Sequence, residues 1–415
     1  ANFNALDLYY QGIDFYHGRG SGAADARSAE LAFARATEED PGFAAAWAGL
    51  AQARSWQIRV GLATDTTAAR QALDRAVALA PEERETALAQ GQYLYYAKGD
   101  FQAATDHLES ALRSWPEDVE LLTSRALILR RLGRWQEALD SLQRAHDSDL
   151  RNPDILENLA QTLGYLRRYD EAERYYDQQL ALTPDAEAPR FSKIFIALYG
   201  RGDTLRTRRL LGAWIDPRNK PFHASLVATL GFFERDYDGG LAALEGLPVD
   251  PYFPVDGTFR LALLSRWAGR EEASRAWADS LYSAAERMIA KYRAVPGDPF
   301  GPAATHISYR GLAHALSGRF AEAVRDGRRG AEMLPLSKDA IEAESVLDNL
   351  ATIYVLVGDR DAALAVLDTL VSNPSSMGAG RLRLDPTYDS LRGDPRFDAL
   401  IRKAEAAERS GTGTR

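Results

Sequence analysis

The chain has 415 residues, 46% of them hydrophobic and none of them cysteine, so it exceeds one compact globule and is expected to be several domains or one repetitive array. Its 50 Lys+Arg against 59 Asp+Glu give a net charge of -9, which offers no broad basic surface for a phosphate backbone, and nucleic acid is not an expected partner. The lack of cysteine excludes disulfides, thiolate metal sites and a cysteine nucleophile.

Only six of the basic residues are lysines, at 98, 193, 220, 291, 338 and 403. With the alanine richness, that reads as a high-GC bacterial coding bias. The longest apolar runs, IFIALY (194–199) and IYVLV (353–357), are too short to cross a bilayer. The sequence starts at Ala1 without a methionine or a basic stretch leading into an apolar one. This fits a mature exported protein, periplasmic or extracellular, or a segment of a longer, cytoplasmic one.

Along the chain one pattern recurs: alanine, a large apolar residue four on, a small residue three further, and a proline five after that. It is carried by Ala29, Phe33, Ala36 and Pro41, by Ala69, Leu73, Ala76 and Pro81, and by Ala104, Leu108, Ala111 and Pro116. Relaxed copies follow at Ala138, Leu142, Ala145 and Leu150, and at Ala172, Tyr176, Gln179 and Pro184. Starts are separated by 40 (69-29), 35 (104-69), 34 (138-104) and 34 (172-138) residues. Apolar residues at steps of three and four mark one helix face, and the proline stops the helix. A second helical pattern lies upstream of each copy, as in Leu122, Ala126 and Leu129, or Leu156, Leu159, Ala160 and Leu163. Short turns separate the two: GDF (99–101), GRW (133–135) and RRY (167–169). Each unit is therefore a helical hairpin.

The stretches GRWQEALDSLQRA (133–145), RRYDEAERYYDQQLALTP (167–184) and AWAGLAQA (46–53) resemble tetratricopeptide repeats. The resemblance is strong over 1–185, returns at GRFAEAVRDGRRGAEMLP (318–335) and GDRDAALAVLDTL (358–370), and is degenerate between them, at RDYDGGLAAL (235–244) and GREEASRAW (269–277). It implies an all-α fold, an α-solenoid wound as a right-handed superhelix of about ten hairpins with a C-terminal capping helix. The expected organisation is a regular array over 1–185, degenerate hairpins over 186–303, a second array over 304–380, a cap over 381–409 and a tail over 410–415. Gly327 and Gly330 interrupt the pattern and are expected to weaken their helix. Breaker-rich stretches at 216–222, 246–257 and 295–302 are expected to be loops, as are the inter-helix insertions 18–26 and 60–68; a neighbouring molecule would hold the polar tail 410–415.

No catalytic, nucleotide or zinc fingerprint occurs. His17, His107, His146, His223, His306 and His314 are scattered; only His306 and His314 are close, two turns apart on one helix, without further ligands nearby. No enzyme, cofactor or metal site is expected. By counting along the resembled pattern, the inner face of the array would present Gln52 and Trp56, Tyr93 and Tyr96, Arg130 and Arg131, and Gln161 and Tyr165. Aromatic residues and arginines anchor interfaces, although an aromatic at helical spacing also serves packing between hairpins. Some relatives grip a terminal carboxylate with inward lysines, asparagines and arginines. The comparable positions here are Ala48, Gln52, Tyr93, Glu120 and Ser124, which do not carry that clamp.

The C-terminal stretch LRLDPTYDSLRGDPRFDALIRKAE (382–405) places Asp385 and Asp394 each before a proline, as N-caps, with Asp389 and Asp398 in the following turns. Phe397, Leu400 and Ile401 would cover the end of the last hairpin. With ALDLYYQG (5–12) and AELAFARATEEDPGFAAAWAGLA (29–51), this stretch resembles the tetratricopeptide regions attached to bacterial serine/threonine kinases, adenylyl cyclases and winged-helix regulators. The resemblance implies a scaffold or sensor module that binds a protein or peptide on its concave face. The alternative is an exported structural protein that self-assembles into oligomers or filaments through head-to-tail contacts.

Overall fold

The computed structural model describes residues 2–17, 23–214, 220–247, 254–293 and 301–411. Among them are twenty-two α-helices and no strand. The first ten helices pair as α1 (Phe3–Tyr16) with α2 (Ala23–Glu39), α3 (Ala44–Arg59) with α4 (Thr67–Leu79), and α5 (Arg84–Gln92) with α6 (Phe101–Ser114). α7 (Val119–Arg131) pairs with α8 (Trp135–Ser148), and α9 (Pro153–Tyr165) with α10 (Tyr169–Leu182). Next come α11 (Glu187–Phe195) with α12 (Thr204–Ala213), α13 (Lys220–Glu234) with α14 (Tyr237–Leu244), and α15 (Pro254–Trp267) with α16 (Glu271–Arg293). The last pairs are α17 (Pro302–Leu316) with α18 (Phe320–Met333) and α19 (Glu342–Val357) with α20 (Arg360–Ser372). α21 (Ala379–Leu384), a 3-10 turn (Pro386–Leu391) and α22 (Pro395–Gly411) complete the chain. The described helices thus form ten hairpins and a cap. The backbone packs as two compact units, one running to Ile155, the other comprising Leu156–Arg293 and Gly301–Arg415.

The repeat markers explain each hairpin. All fifteen helical positions of the five copies, from Ala29, Phe33 and Ala36 to Ala172, Tyr176 and Gln179, are buried. Each second helix ends two residues before its proline, and the residue between leaves the helical region, as at Ala80 (φ -153°, ψ 75°) and Trp115 (φ -129°, ψ 70°), because a following proline disfavours the α conformation. Asp149, before Leu150, takes the same shape (φ -143°, ψ 87°); the proline assists the stop without being required for it. Several second helices start on an aspartate whose carboxylate accepts from the backbone three residues on: Asp100, Asp203, Asp236 and Asp359, each satisfying an otherwise orphaned N–H.

The turns inside the hairpins carry a left-handed residue at Gly99, Gly133, Arg167, Gly202, Arg235, Gly269, Gly318 and Gly358. From Gly99 to Gly269 these lie 34, 34, 35, 33 and 34 residues apart, so the backbone period runs through the stretch that is degenerate in sequence. The 35-residue step contains a π-helical turn at Ile196–Gly200, and the earlier 35-residue step, Ala69 to Ala104, contains another at Tyr93–Ala97. A π turn accommodates one inserted residue without breaking the helix.

One expectation changes, the loop at 18–26, and the glycines of α18 gain a packing reason. α18 runs unbroken through Gly327 and Gly330, where a Cβ would meet Ile353 and Leu350 in the first case and Ala304, Val346 and Ser308 in the second; the glycines let α17 and α19 approach closely. The insertion at 18–26 is helical from Ala23, with 18–22 outside the described residues. Residues 60–66 do form an inter-helix connection. Of the breaker-rich stretches, 215–219, 248–253 and 294–300 lie outside the described residues, and helices resume at Lys220, Pro254 and Pro302. Tail residues 412–415 also lie outside.

Candidate functional site

In the first unit the expected inner-face residues are mostly held by neighbouring hairpins. Tyr93 and Tyr96 are 5% and 8% exposed, and Arg130 and Arg131 are each 7% exposed. Tyr96 meets Trp56 edge-on at 5.2 Å. Arg131 donates through Nε to the Tyr95 hydroxyl at 2.8 Å and lies over the Tyr95 and Phe101 rings. Gln52 is buried, while Trp56 is half-buried. A polar network joins first helices: the Tyr16 hydroxyl donates to Gln92 Oε1 at 2.9 Å, and Gln92 Nε2 donates to Ser124 Oγ at 3.3 Å. His17 Nε2 stands 3.0 Å from Glu120, which also pairs with Arg84. Burial pushes the Glu120 carboxyl up, but the His17 hydrogen bond and the Arg84 charge together bring it down to about 2.

In the second unit Gln161 and Tyr165 are half-buried; Gln161 donates to Glu157 at 2.9 Å, and the Tyr165 carbonyl accepts from Ser375 N–H at 3.1 Å. Here the first helices leave a chamber of about 430 Å³. Its apolar side is aromatic: Phe191, Phe195 and Tyr199 along α11 and its π turn, Phe222 on α13, Phe259 on α15 and Tyr309 on α17. Phe195 stacks on Tyr199 at 4.0 Å, Phe191 tilts against Phe222 at 5.3 Å, and Phe259 meets Tyr309 at 6.1 Å. The opposite side is polar. Glu344, Ser345, Asp348, Asn349 and Thr352 line it from one face of α19, at spacings of one, four, five and eight.

The polar side is completed by the segment that follows α20. Ser376 donates to Glu344 Oε1 through its N–H at 2.7 Å and through its hydroxyl. Arg381 donates to Asp348 at 2.9 Å and to Asp385 at 3.3 Å, with its guanidinium 5.3 Å over the Tyr199 ring. The Tyr388 hydroxyl donates to Asp348 at 3.3 Å. Burial raises the Glu344 carboxyl, an effect that the Ser376 hydrogen bonds reduce.

Two arginines in left-handed turns hold this segment. Arg167 (φ 58°) donates to the carbonyls of Leu370, Asn373 and Met377 and to Ser375 Oγ, and Arg235 (φ 63°) donates to Asp389 at 2.8 Å. The left-handed conformation costs an L-residue roughly 1–2 kcal/mol, which glycine avoids. At the other six turns glycine occupies it; only these two need a side chain. The segment also crosses the α11 turn backbone to backbone, so that a Cβ on Gly380 would collide with the Gly202 nitrogen.

The tail aspartates are helix punctuation, as expected. Asp385 accepts from Thr387 N–H at 2.9 Å and Asp394 from Arg396 N–H at 2.9 Å. The first begins a 3-10 turn in place of an α-helix. Phe397 and Leu400 are buried against Leu364 and Leu367, with Ile401 packed beside them. Among the described residues no three acidic or histidine side chains are grouped as a metal site would need. His306 and His314 are packed, against Tyr292 and Tyr282, and burial lowers both, the former to about 4.

Two family models, both described as tetratricopeptide repeat, match residues 93–150 and 155–190. These two stretches are tetratricopeptide repeats. No curated protein matches it significantly. Among solved structures, a thermophilic tetratricopeptide protein of Thermus thermophilus is 24% identical, over 46% of this chain and 96% of that one, with a TM-score of 0.38. The pilF protein of Pseudomonas aeruginosa is 18% identical over 58% and 96%, with a TM-score of 0.37, and yeast Tom70 is 13% identical over 98% and 90%, with a TM-score of 0.41. These likenesses are too loose to carry an argument about function.

Tetratricopeptide arrays serve in general as protein–protein interaction scaffolds. The matched stretches contain Tyr93, Tyr96, Arg130, Arg131, Gln161 and Tyr165, yet they end at 190, one residue before the chamber lining begins at Phe191. The described lining of the chamber therefore lies outside the matched stretches. Two signals could have located it: arginine in place of the turn glycine at Arg167 and Arg235, and the polar stripe Glu344, Asp348, Thr352 in an otherwise apolar helix.

Proposed function

We propose that this protein is a non-catalytic scaffold or sensor module that holds a peptide segment of a protein partner, with the chamber of the second unit as the anchoring pocket. One observation carries the reading: a chamber of about 430 Å³ whose half-buried aromatics face a polar helix stripe. A cavity of this size and character takes one or two large side chains and fixes their orientation through a few polar groups. Gln161 and Tyr165, half-buried on α9 of the same unit, extend the contact surface. Trp56, Tyr93, Tyr96, Arg130 and Arg131 belong to the first unit, where Trp56 is half-buried and the other four are buried. Attachment to a signalling enzyme or regulator would make such binding a sensory input.

Panning random twelve-residue peptides displayed on phage against the full chain tests the reading. Ser345 lines the chamber and is exposed, so Ser345→Trp should fill the space without disturbing the core and weaken the enriched peptides about tenfold or more. Unchanged binding sinks the proposal.

A second reading, self-association, rests on α1, where Phe3, Leu6 and Tyr10 are 83%, 38% and 59% exposed along one face. Such a stripe suits a helix-to-helix contact between copies. A head-to-tail filament would need an apolar surface at the other end, and there α22 turns Phe397, Leu400 and Ala404 inward. Solution mass across a dilution series decides: a monomer at every concentration removes this reading.

A further inference from the structure

Resting on the reading of the chamber as a peptide pocket, we infer that the anchor it takes is a basic side chain, lysine or arginine, flanked by aromatic or aliphatic residues. Three carboxylates line the chamber, Glu344, Asp348 and Asp385, against two guanidiniums, Arg260 and Arg381. Arg381 is engaged by Asp348 and Asp385, and Arg260 donates to Thr229. Glu344 is left over. It is 8% exposed, its two hydrogen bonds from Ser376 both end on Oε1, and Oε2 accepts none from the described residues.

A carboxylate lining a chamber with an unused oxygen sorts the candidate occupants. An acidic anchor would meet Glu344 and Asp348 as like charges. A wholly apolar anchor would displace water from Glu344 and leave its charge buried with only the already engaged Arg381 and the more distant Arg167 to offset it, at a cost greater than the apolar contact returns. An ammonium or guanidinium supplies the missing donor, and charge-assisted hydrogen bonds of this kind are the stronger ones. The aromatic side then receives the neighbouring residues, and exposed ring faces also favour a cation close by. The family's carboxylate-gripping clamp selects an acidic terminus; this chamber selects the opposite charge.

The test uses the full chain and three fluorescein-labelled twelve-residue peptides of leucine, phenylalanine and serine, identical except for a central lysine, norleucine or glutamate. At 150 mM salt we expect, as an order of magnitude, the lysine peptide to bind about tenfold or more tighter than the other two. Glu344→Gln, an isostere that Ser376 can still bond, should erase that preference and leave norleucine binding in place, with far-UV circular dichroism unchanged. Asp361→Asn, which removes an equal charge from the exposed surface, should leave the preference intact; its loss there would reduce the effect to net charge and overturn the inference. Equal binding of lysine and norleucine peptides, still blocked by Ser345→Trp, overturns the basic anchor and leaves the pocket reading standing. Binding of phenethylamine with no binding of any peptide overturns both, and makes the occupant a small amine.

Discussion

The two units place a glutamate on comparable first helices and treat it in opposite ways. In the first unit Glu120 is drawn into a network with His17 and Arg84, and those cations bring its carboxyl to about 2 despite burial. In the second unit Glu344 faces a chamber, receives only the neutral Ser376 donors, and burial raises it. Local sequence accounts for the difference. Large side chains such as Tyr16, Tyr93 and Tyr96 fill the space between first helices in the first unit. In the second, the segment beyond α20 borders a space that none of the described residues fills. A hairpin array can thus pack its inner side solid or keep it open as a site, depending on a few inserted or exchanged residues.

The closure of the second unit gives the largest expected effect. Gly380 lies within α21, where alanine is favoured over glycine by roughly 1 kcal/mol on propensity alone. Against that, its Cβ would collide with the backbone of Gly202, which cannot yield as a flexible side chain would. Overpacking of this kind costs about 1–3 kcal/mol, so the close approach should win and Gly380→Ala should destabilise. Hydrogen exchange should quicken at 196–203 and 373–392 and stay unchanged through 2–155. Slower exchange would mean that propensity decides, and that the contact is looser than described.

How much of this was legible depends on what each residue has to do. Markers such as Phe33, Leu108 and Leu142 are both periodic and buried, so the hairpins could be read one by one, up to a total of ten. The cap was equally readable, because Asp385 and Asp394 announce helix starts by purely local chemistry. The chamber was not, because its residues come from α11, α13, α15, α17, α19 and the C-terminal segment, and no local rule links Phe195 to Glu344. Counting along the repeat placed Tyr93 and Arg131 on first helices and could not distinguish a residue that faces a partner from one that holds Tyr95 or Phe101 in place. The departures from the repeat held more information about the site than the repeats did. Arg167 reads as an ordinary repeat turn and Arg235 as part of a degenerate hairpin, yet both fix the segment that completes the chamber.

The smallest expected effect sharpens the contrast between the two glutamates. The Glu120 hydrogen bond raises His17 above its ordinary value, with burial opposing. A histidine raised on folding contributes stability that is complete below its unfolded value, near 6.5, and that fades as pH climbs through the higher folded value. Glu120 is depressed, so its share is present above roughly 4.5 and is lost as pH falls toward about 2. The pair should therefore count most between about pH 5 and 6.5. His17 and Glu120 are 42% and 32% exposed, and solvent screening limits such a pair to roughly 0.2–1 kcal/mol. Urea unfolding of His17→Gln should then show a deficit of about 0.5 kcal/mol at pH 5.5 that vanishes near pH 9. Glu344→Gln should differ in sign, standing at or above the wild type where His17→Gln stands below it. A carboxyl raised by burial is least costly when protonated, so the amide should gain stability over the wild type as pH rises and match it at low pH. If Glu344→Gln instead fell below the wild type as pH rose, Glu344 would be a stabilising carboxylate like Glu120, and the chamber would lose its distinction from the packed array.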